Sequence, residues 1–160
     1  MSDISRAAST FVGTYAAAMA LGGRPINSLP SVAEALASHY PLSTPFTAFT
    51  FGHVTVSPNR TNCTENILGH LERFARSGLG TDIFMEKHRI EVLSPGSALC
   101  WITWAIRPKD GTKGWNWENV YGYRRVTGPE GSEPEQHWEF VISDHEIEEL
   151  LQRRPGIMSF

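Results

Sequence analysis

Apolar positions along the chain follow a helical period first and an alternating one later, and the change of period marks out the elements. Ile4, Ala7, Ala8, Phe11, Tyr15 and Ala18 recur at helical spacing and predict a first helix from Asp3 to Leu21. Gly22-Gly23 and Pro25 stop it. Ser31-Val32-Ala33-Glu34 has the form of a capping box and predicts a short second helix carrying Val32, Ala35 and Leu36 inward. The Phe-, Thr- and Val-rich stretch 46–57 predicts one strand. Asn62 with Glu65 three residues on predicts a third helix, buried along Ile67, Leu68, Leu71, Phe74 and Ala75, and ended by Gly78 and Gly80.

From there the period is two. Residues 81–93, 98–107, 115–126 and 136–142 predict four strands in hairpin succession, separated by turn residues such as Pro95-Gly96 and Asp110-Gly111. Ser143-Asp144-His145-Glu146 is a second capping box and opens a short C-terminal helix that Pro155-Gly156 ends. Helices and strands are thus segregated along the chain, which gives an α+β fold in a single domain over residues 1–160.

Composition narrows the function. With 41% apolar and 19% charged residues, the chain is no disordered linker. A net charge of -3 without a basic cluster excludes nucleic acid and anionic membrane surfaces as partners. No apolar run approaches the roughly 20 residues that span a bilayer. The apolar N-terminal stretch is preceded by Asp3 and broken by Ser9, Thr10 and Thr14, so it reads as a helix of the fold rather than a leader. Together with two distant, unpaired cysteines, Cys63 and Cys100, this points to a cytoplasmic protein. The histidines lack ligand spacing, and no phosphate-cradling or nucleophile motif is present, so neither metal nor cofactor is expected.

The aromatic content does need an explanation, because four of the five Trp lie between Trp101 and Trp117. Strict alternation puts Asp82, Phe84, Glu86, His88 and Ile90 on one face of the first hairpin strand, with the charges Lys87, Arg89 and Glu91 on the other. The first face is therefore the one expected to meet an interior. There Glu86 and His88 would form a proton-transferring pair among apolar neighbours, or else a partly solvated ion pair on the open side of the sheet. Trp115, Trp117, Asn119, Tyr121 and Tyr123 share a face in the third hairpin strand. They form either a wall that stacks on a flat apolar ligand or a ring-packed core. Residues 98–106 are apolar on both faces, with Leu99, Trp101 and Ala105 opposite Cys100, Ile102 and Trp104, so the outer face needs a cover; a second copy of the chain would supply it.

The element order, the element lengths and the aromatic Tyr15 inside helix one resemble the nuclear transport factor 2-like superfamily. The stretch Trp117-Glu118-Asn119-Val120-Tyr121-Gly122-Tyr123-Arg124 is similar to a strand of uncharacterised fungal members. The resemblance implies a cone-shaped, curled antiparallel sheet around a cavity closed by three N-terminal helices, and a homodimer through the outer face of the sheet. It also implies a small hydrophobic ligand, polyketide- or terpenoid-like. The expected activity is that of a cofactor-independent isomerase, cyclase or dehydratase of secondary metabolism. A non-catalytic ligand-binding or dimerisation module on the same fold is the alternative. Under the catalytic expectation Tyr15, Glu86 and His88 carry the chemistry, and His53, Phe84, Trp101, Trp117, Asn119 and Tyr121 bind the substrate. His53 enters because ketosteroid isomerase-like members place an acidic base in that region, where this chain offers a histidine. Tyr15 enters because such members place an oxyanion-stabilising tyrosine on helix one; its other reading is a core phenol satisfied by a carbonyl.

Overall fold

The computed structural model describes residues 2–159. Helix α1 (Asp3–Ala20) begins where Ser2 Oγ accepts the Ser5 N–H at 3.2 Å. Helix α2 (Leu29–Ala37) starts earlier than its capping-box pattern predicts. Ser28 is the cap, accepting from Ser31 N–H at 3.3 Å, and Pro30 suits the first turn because its missing N–H has no partner to lose there. Helix α3 (Arg60–Arg76) is capped by Asn59, whose side chain accepts the Asn62 N–H at 3.1 Å.

Residues 46–57 form a hairpin instead of one strand: β1 (Phe46–Thr50) and β2 (His53–Ser57). The two-residue turn takes positive φ at Phe51 (50°) and Gly52 (81°), the twist a tight antiparallel hairpin requires. Four longer strands follow, β3 (Ile83–Ser94), β4 (Ser97–Ile106), β5 (Trp115–Val126) and β6 (Glu135–Ile142). Helix α4 (Asp144–Arg153) closes the order. Ser143 does not cap it with its side chain but pairs with Thr50 at 2.8 Å, while Asp144 accepts the Phe51 N–H at 2.9 Å.

The six strands make one sheet in the order β2-β1-β6-β5-β4-β3. It is mixed rather than wholly antiparallel, because β1 runs parallel to β6. Helix α1 lies across β3 and β4, α2 packs on α3, and α4 lies against β5. The covered face carries Cys100, Ile102 and Trp104 of β4 beside Trp117, Asn119 and Tyr121 of β5, all buried.

Strand β3 departs from strict alternation. The pairing runs Met85 to Trp104 and then Lys87 to Thr103, a bulge that adds one residue to β3. Ile83 and Met85 therefore share the covered face with His88 and Ile90, while Phe84 and Glu86 turn to the opposite side. The outer face keeps a continuous apolar row. Val54, Phe49, Ile142, Val120 and Trp101 are cross-strand neighbours over five strands, and Arg89 ends the row by stacking on the Trp101 ring at 4.7 Å. No described helix is long and apolar enough to cross a membrane.

Candidate functional site

A cavity of about 400 Å³ lies between the covered face of the sheet and the helices, within the range of small-molecule sites. Tyr15, Tyr40, Phe46, Trp104, Trp117 and Tyr121 supply ring surface to its wall. His70, Arg73, Asn119 and Glu146 supply the polar chemistry.

The centre of that chemistry is Glu146, in the first turn of α4, with its side chain 14% exposed. Its Oε2 accepts from His70 Nε2 and its Oε1 from Asn119 Nδ2, each at 2.8 Å. An ionised carboxylate only accepts, so these contacts set the Asn119 amide with its NH2 toward Glu146 and place the His70 proton on Nε2. Burial works to raise the Glu146 carboxyl. The hydrogen bond from His70, the charge its ring exerts when protonated, and the hydrogen bond of Asn119 together outweigh it and hold the group below its ordinary range. The acid is therefore ionised at neutral pH despite its setting.

Three phenols surround the pair. Tyr15 and Tyr40 hydroxyls lie 2.6 Å apart. The Tyr121 hydroxyl accepts from Trp104 Nε1 at 3.0 Å and from Asn119 Nδ2 at 3.4 Å, which leaves its own proton to donate. Burial pushes Tyr15, Tyr40 and Tyr121 well above the ordinary tyrosine value, so all three remain protonated donors. Two further wall atoms, Trp117 Nε1 and Asn119 Oδ1, are buried without a hydrogen-bond partner, a donor and an acceptor that a ligand's polar group can satisfy.

Of the residues singled out in the sequence, Tyr15, Trp117, Asn119 and Tyr121 line this cavity. Glu86, His88, Phe84, Trp101 and His53 do not. The β3 bulge carries Glu86 to the outer side, where it is exposed and accepts from Asn116 at 3.4 Å. Phe84 lies on that side too, with the Arg107 guanidinium 3.9 Å above its ring. His88 shares the covered face but is exposed and meets Ser9 of α1 at 3.1 Å instead of Glu86. Trp101 belongs to the outer row, and His53 is exposed beside the β1–β2 turn.

His70, Arg73 and Glu146 line the cavity although no motif in the sequence marks them as site residues. His70 and Arg73 follow Ile67 at steps of three on α3, so they border the apolar stripe formed with Leu71 and Phe74. That spacing is the signal the sequence carries for them. Glu146 occupies the Glu position of a capping box, which a sequence assigns to the helix's own backbone, and here it turns into the cavity instead.

No protein-family model matches the chain, and no curated protein matches it in sequence. Solved structures do match in shape. A domain of unknown function with a cystatin-like fold from Nostoc punctiforme superimposes with a TM-score of 0.59 at 13% identity, covering 96% of this chain and 86% of that one. An NTF2-like protein of unknown function from Shewanella oneidensis gives 0.54 at 10% identity, covering 83% and 92%. A ketosteroid isomerase-like protein from Erwinia carotovora atroseptica gives 0.54 at 12% identity, covering 84% and 89%. At these identities the likeness is one of architecture: the chain has the NTF2-like, cystatin-like α+β fold, its helices closing a cavity against a curled sheet.

Proposed function

We propose that the protein is a cofactor-independent enzyme that transfers protons on a small hydrophobic substrate, as an isomerase, cyclase or dehydratase. The observation that carries this reading is the His70–Glu146 pair, hydrogen-bonded at 2.8 Å on the wall of an aromatic cavity. With its Nε2–H directed at Glu146, His70 has the Nδ1 lone pair free to take a proton from a carbon acid or a hydroxyl. Glu146 then stabilises the imidazolium that forms, as the carboxylate of a hydrogen-bonded triad does. The negative charge left on the substrate needs donors, and the free proton of Tyr121 with the Tyr15–Tyr40 hydroxyl pair supplies them. The His–carboxylate pair thus takes the part expected of Glu86 and His88, while Tyr15, Trp117, Asn119 and Tyr121 keep the parts expected of them. The ketosteroid isomerase-like neighbour is in keeping with proton-transfer chemistry on this fold.

One observation favours the second reading, a non-catalytic ligand-binding module: the tyrosine hydroxyls are already bonded to other side chains. The apolar outer row supports a homodimer formed sheet to sheet, whichever reading holds.

Native mass spectrometry of the purified protein identifies the co-purifying ligand, and hydrogen–deuterium exchange into that ligand in D2O tests the chemistry. Exchange by the wild type that drops at least about 100-fold in His70→Asn, with binding retained within a few-fold and Glu86→Gln unaffected, is the expected result. Binding without exchange in the wild type would establish the module instead.

A further inference from the structure

Arg73 stands one helical turn beyond His70 on α3 and lines the same cavity. Its Nε is buried in the wall and has no hydrogen-bond partner. Among the described residues no carboxylate pairs with its guanidinium; the same holds for Arg6, Arg24, Arg60 and Arg89, but of these Arg73 alone lines the cavity. Its sequence neighbour Glu72 and the carboxylate of the cavity wall, Glu146, are both committed elsewhere. Glu72, its neighbour in sequence, pairs with Arg76 at 3.3 Å. Glu146, across the cavity wall, is held by His70 and Asn119. A permanently charged, half-buried side chain without a carboxylate partner thus lines the cavity, on the same helix as the histidine base.

We infer that the ligand of this cavity is a hydrophobic acid whose carboxylate is received by Arg73. Guanidinium and carboxylate match in shape as well as charge, and the pair gains strength where the wall excludes water. Residues three apart on a helix stand roughly 5–6 Å apart at Cβ, so a carboxylate on Arg73 would leave the adjoining part of the ligand skeleton at His70. The inference rests on the cavity being the ligand site of the proposed function, and it names the class of that ligand. Arg73 is a specificity residue in this scheme and takes no part in moving the proton.

Two probes of equal size and shape, 2-naphthoate and 2-naphthamide, test it by isothermal titration calorimetry on the full chain. The wild type should bind naphthoate at least about tenfold more tightly than naphthamide. Arg73→Gln should bring the two affinities together by weakening naphthoate alone, and Arg73→Lys should keep part of the preference. Equal binding of both probes by the wild type overturns the inference and leaves the proposed function standing, as does a preference that survives Arg73→Gln. Failure of both probes to bind at millimolar concentration overturns the inference together with the reading of the cavity as a ligand site. The comparison of probes on the wild type does not depend on any variant folding.

Discussion

His70 Nε2 stands 2.8 Å from Glu146 Oε2, joining α3 to the first turn of α4 across 76 residues of sequence. The contact is both the chemical centre of the cavity and a tertiary clasp, since α4 otherwise lies mainly against β5.

The clasp makes stability depend on pH in a set direction. The Glu146 carboxyl is held below its ordinary value of 4.5, so its contribution is complete above that value and is lost as pH falls through the folded one. Thermal melts between pH 3 and 7 should show the wild type losing Tm on acidification more steeply than Glu146→Gln. Parallel curves for the two proteins would contradict the assignment.

Tyr15 and Tyr40 form a buried hydroxyl pair at 2.6 Å, and each satisfies the other. Tyr15→Phe or Tyr40→Phe alone should cost about 1–3 kcal/mol, because it strands a buried hydroxyl. The double variant should cost clearly less than the sum of the two. Urea denaturation of the four proteins in the cycle measures the difference.

Gly122 faces Phe140 across β5 and β6 on the outer side of the sheet. A Cβ there would collide with the edge of the Phe140 ring. Gly122→Ala should destabilise by about 1–3 kcal/mol through overpacking. In a Phe140→Ala background the same change should be nearly free, and chemical denaturation reads both.

Cys100 is fully buried, and burial pushes its thiol up to about 12. Burial also raises Cys63, but Cys63 lines the cavity. A small methanethiosulfonate reagent should therefore label Cys63 before Cys100 in the native protein, and a bound ligand should slow the Cys63 reaction. Peptide mass spectrometry after timed quenching distinguishes the two.

The proposed dimer uses the apolar row through Val120 and Trp101. Val120→Glu, on that row and away from the cavity, should shift the protein to a monomer in light scattering while its far-UV circular dichroism is kept. An unchanged oligomer would remove this face from the interface.

Local chemistry made the elements legible. Helices α1 and α3 and strand β5 follow from the spacing of their apolar positions, and so does the covered aromatic face of β5, although α3 is capped by Asn59 and not from the expected Asn62. The hairpin at 46–57 was legible only through Phe51-Gly52, a weak turn signal inside a strongly strand-forming run. The bulge in β3 was not legible at all. An added residue is a property of how β3 pairs with β4, and it carried Glu86 away from the cavity while bringing Met85 to the covered face.

The sequence by itself determined which segments coil, which extend, and that rings crowd the end of β4 and the length of β5, because those depend on contacts a few residues apart. The tertiary structure alone decided the site. His70, Asn119 and Glu146 come from α3, β5 and α4, and only the parallel docking of β6 beside β1, which sets where α4 begins, places the acid between the histidine and the amide. A buried carboxylate is tolerable only with such partners around it, and partners separated by dozens of residues leave no periodic trace in the chain.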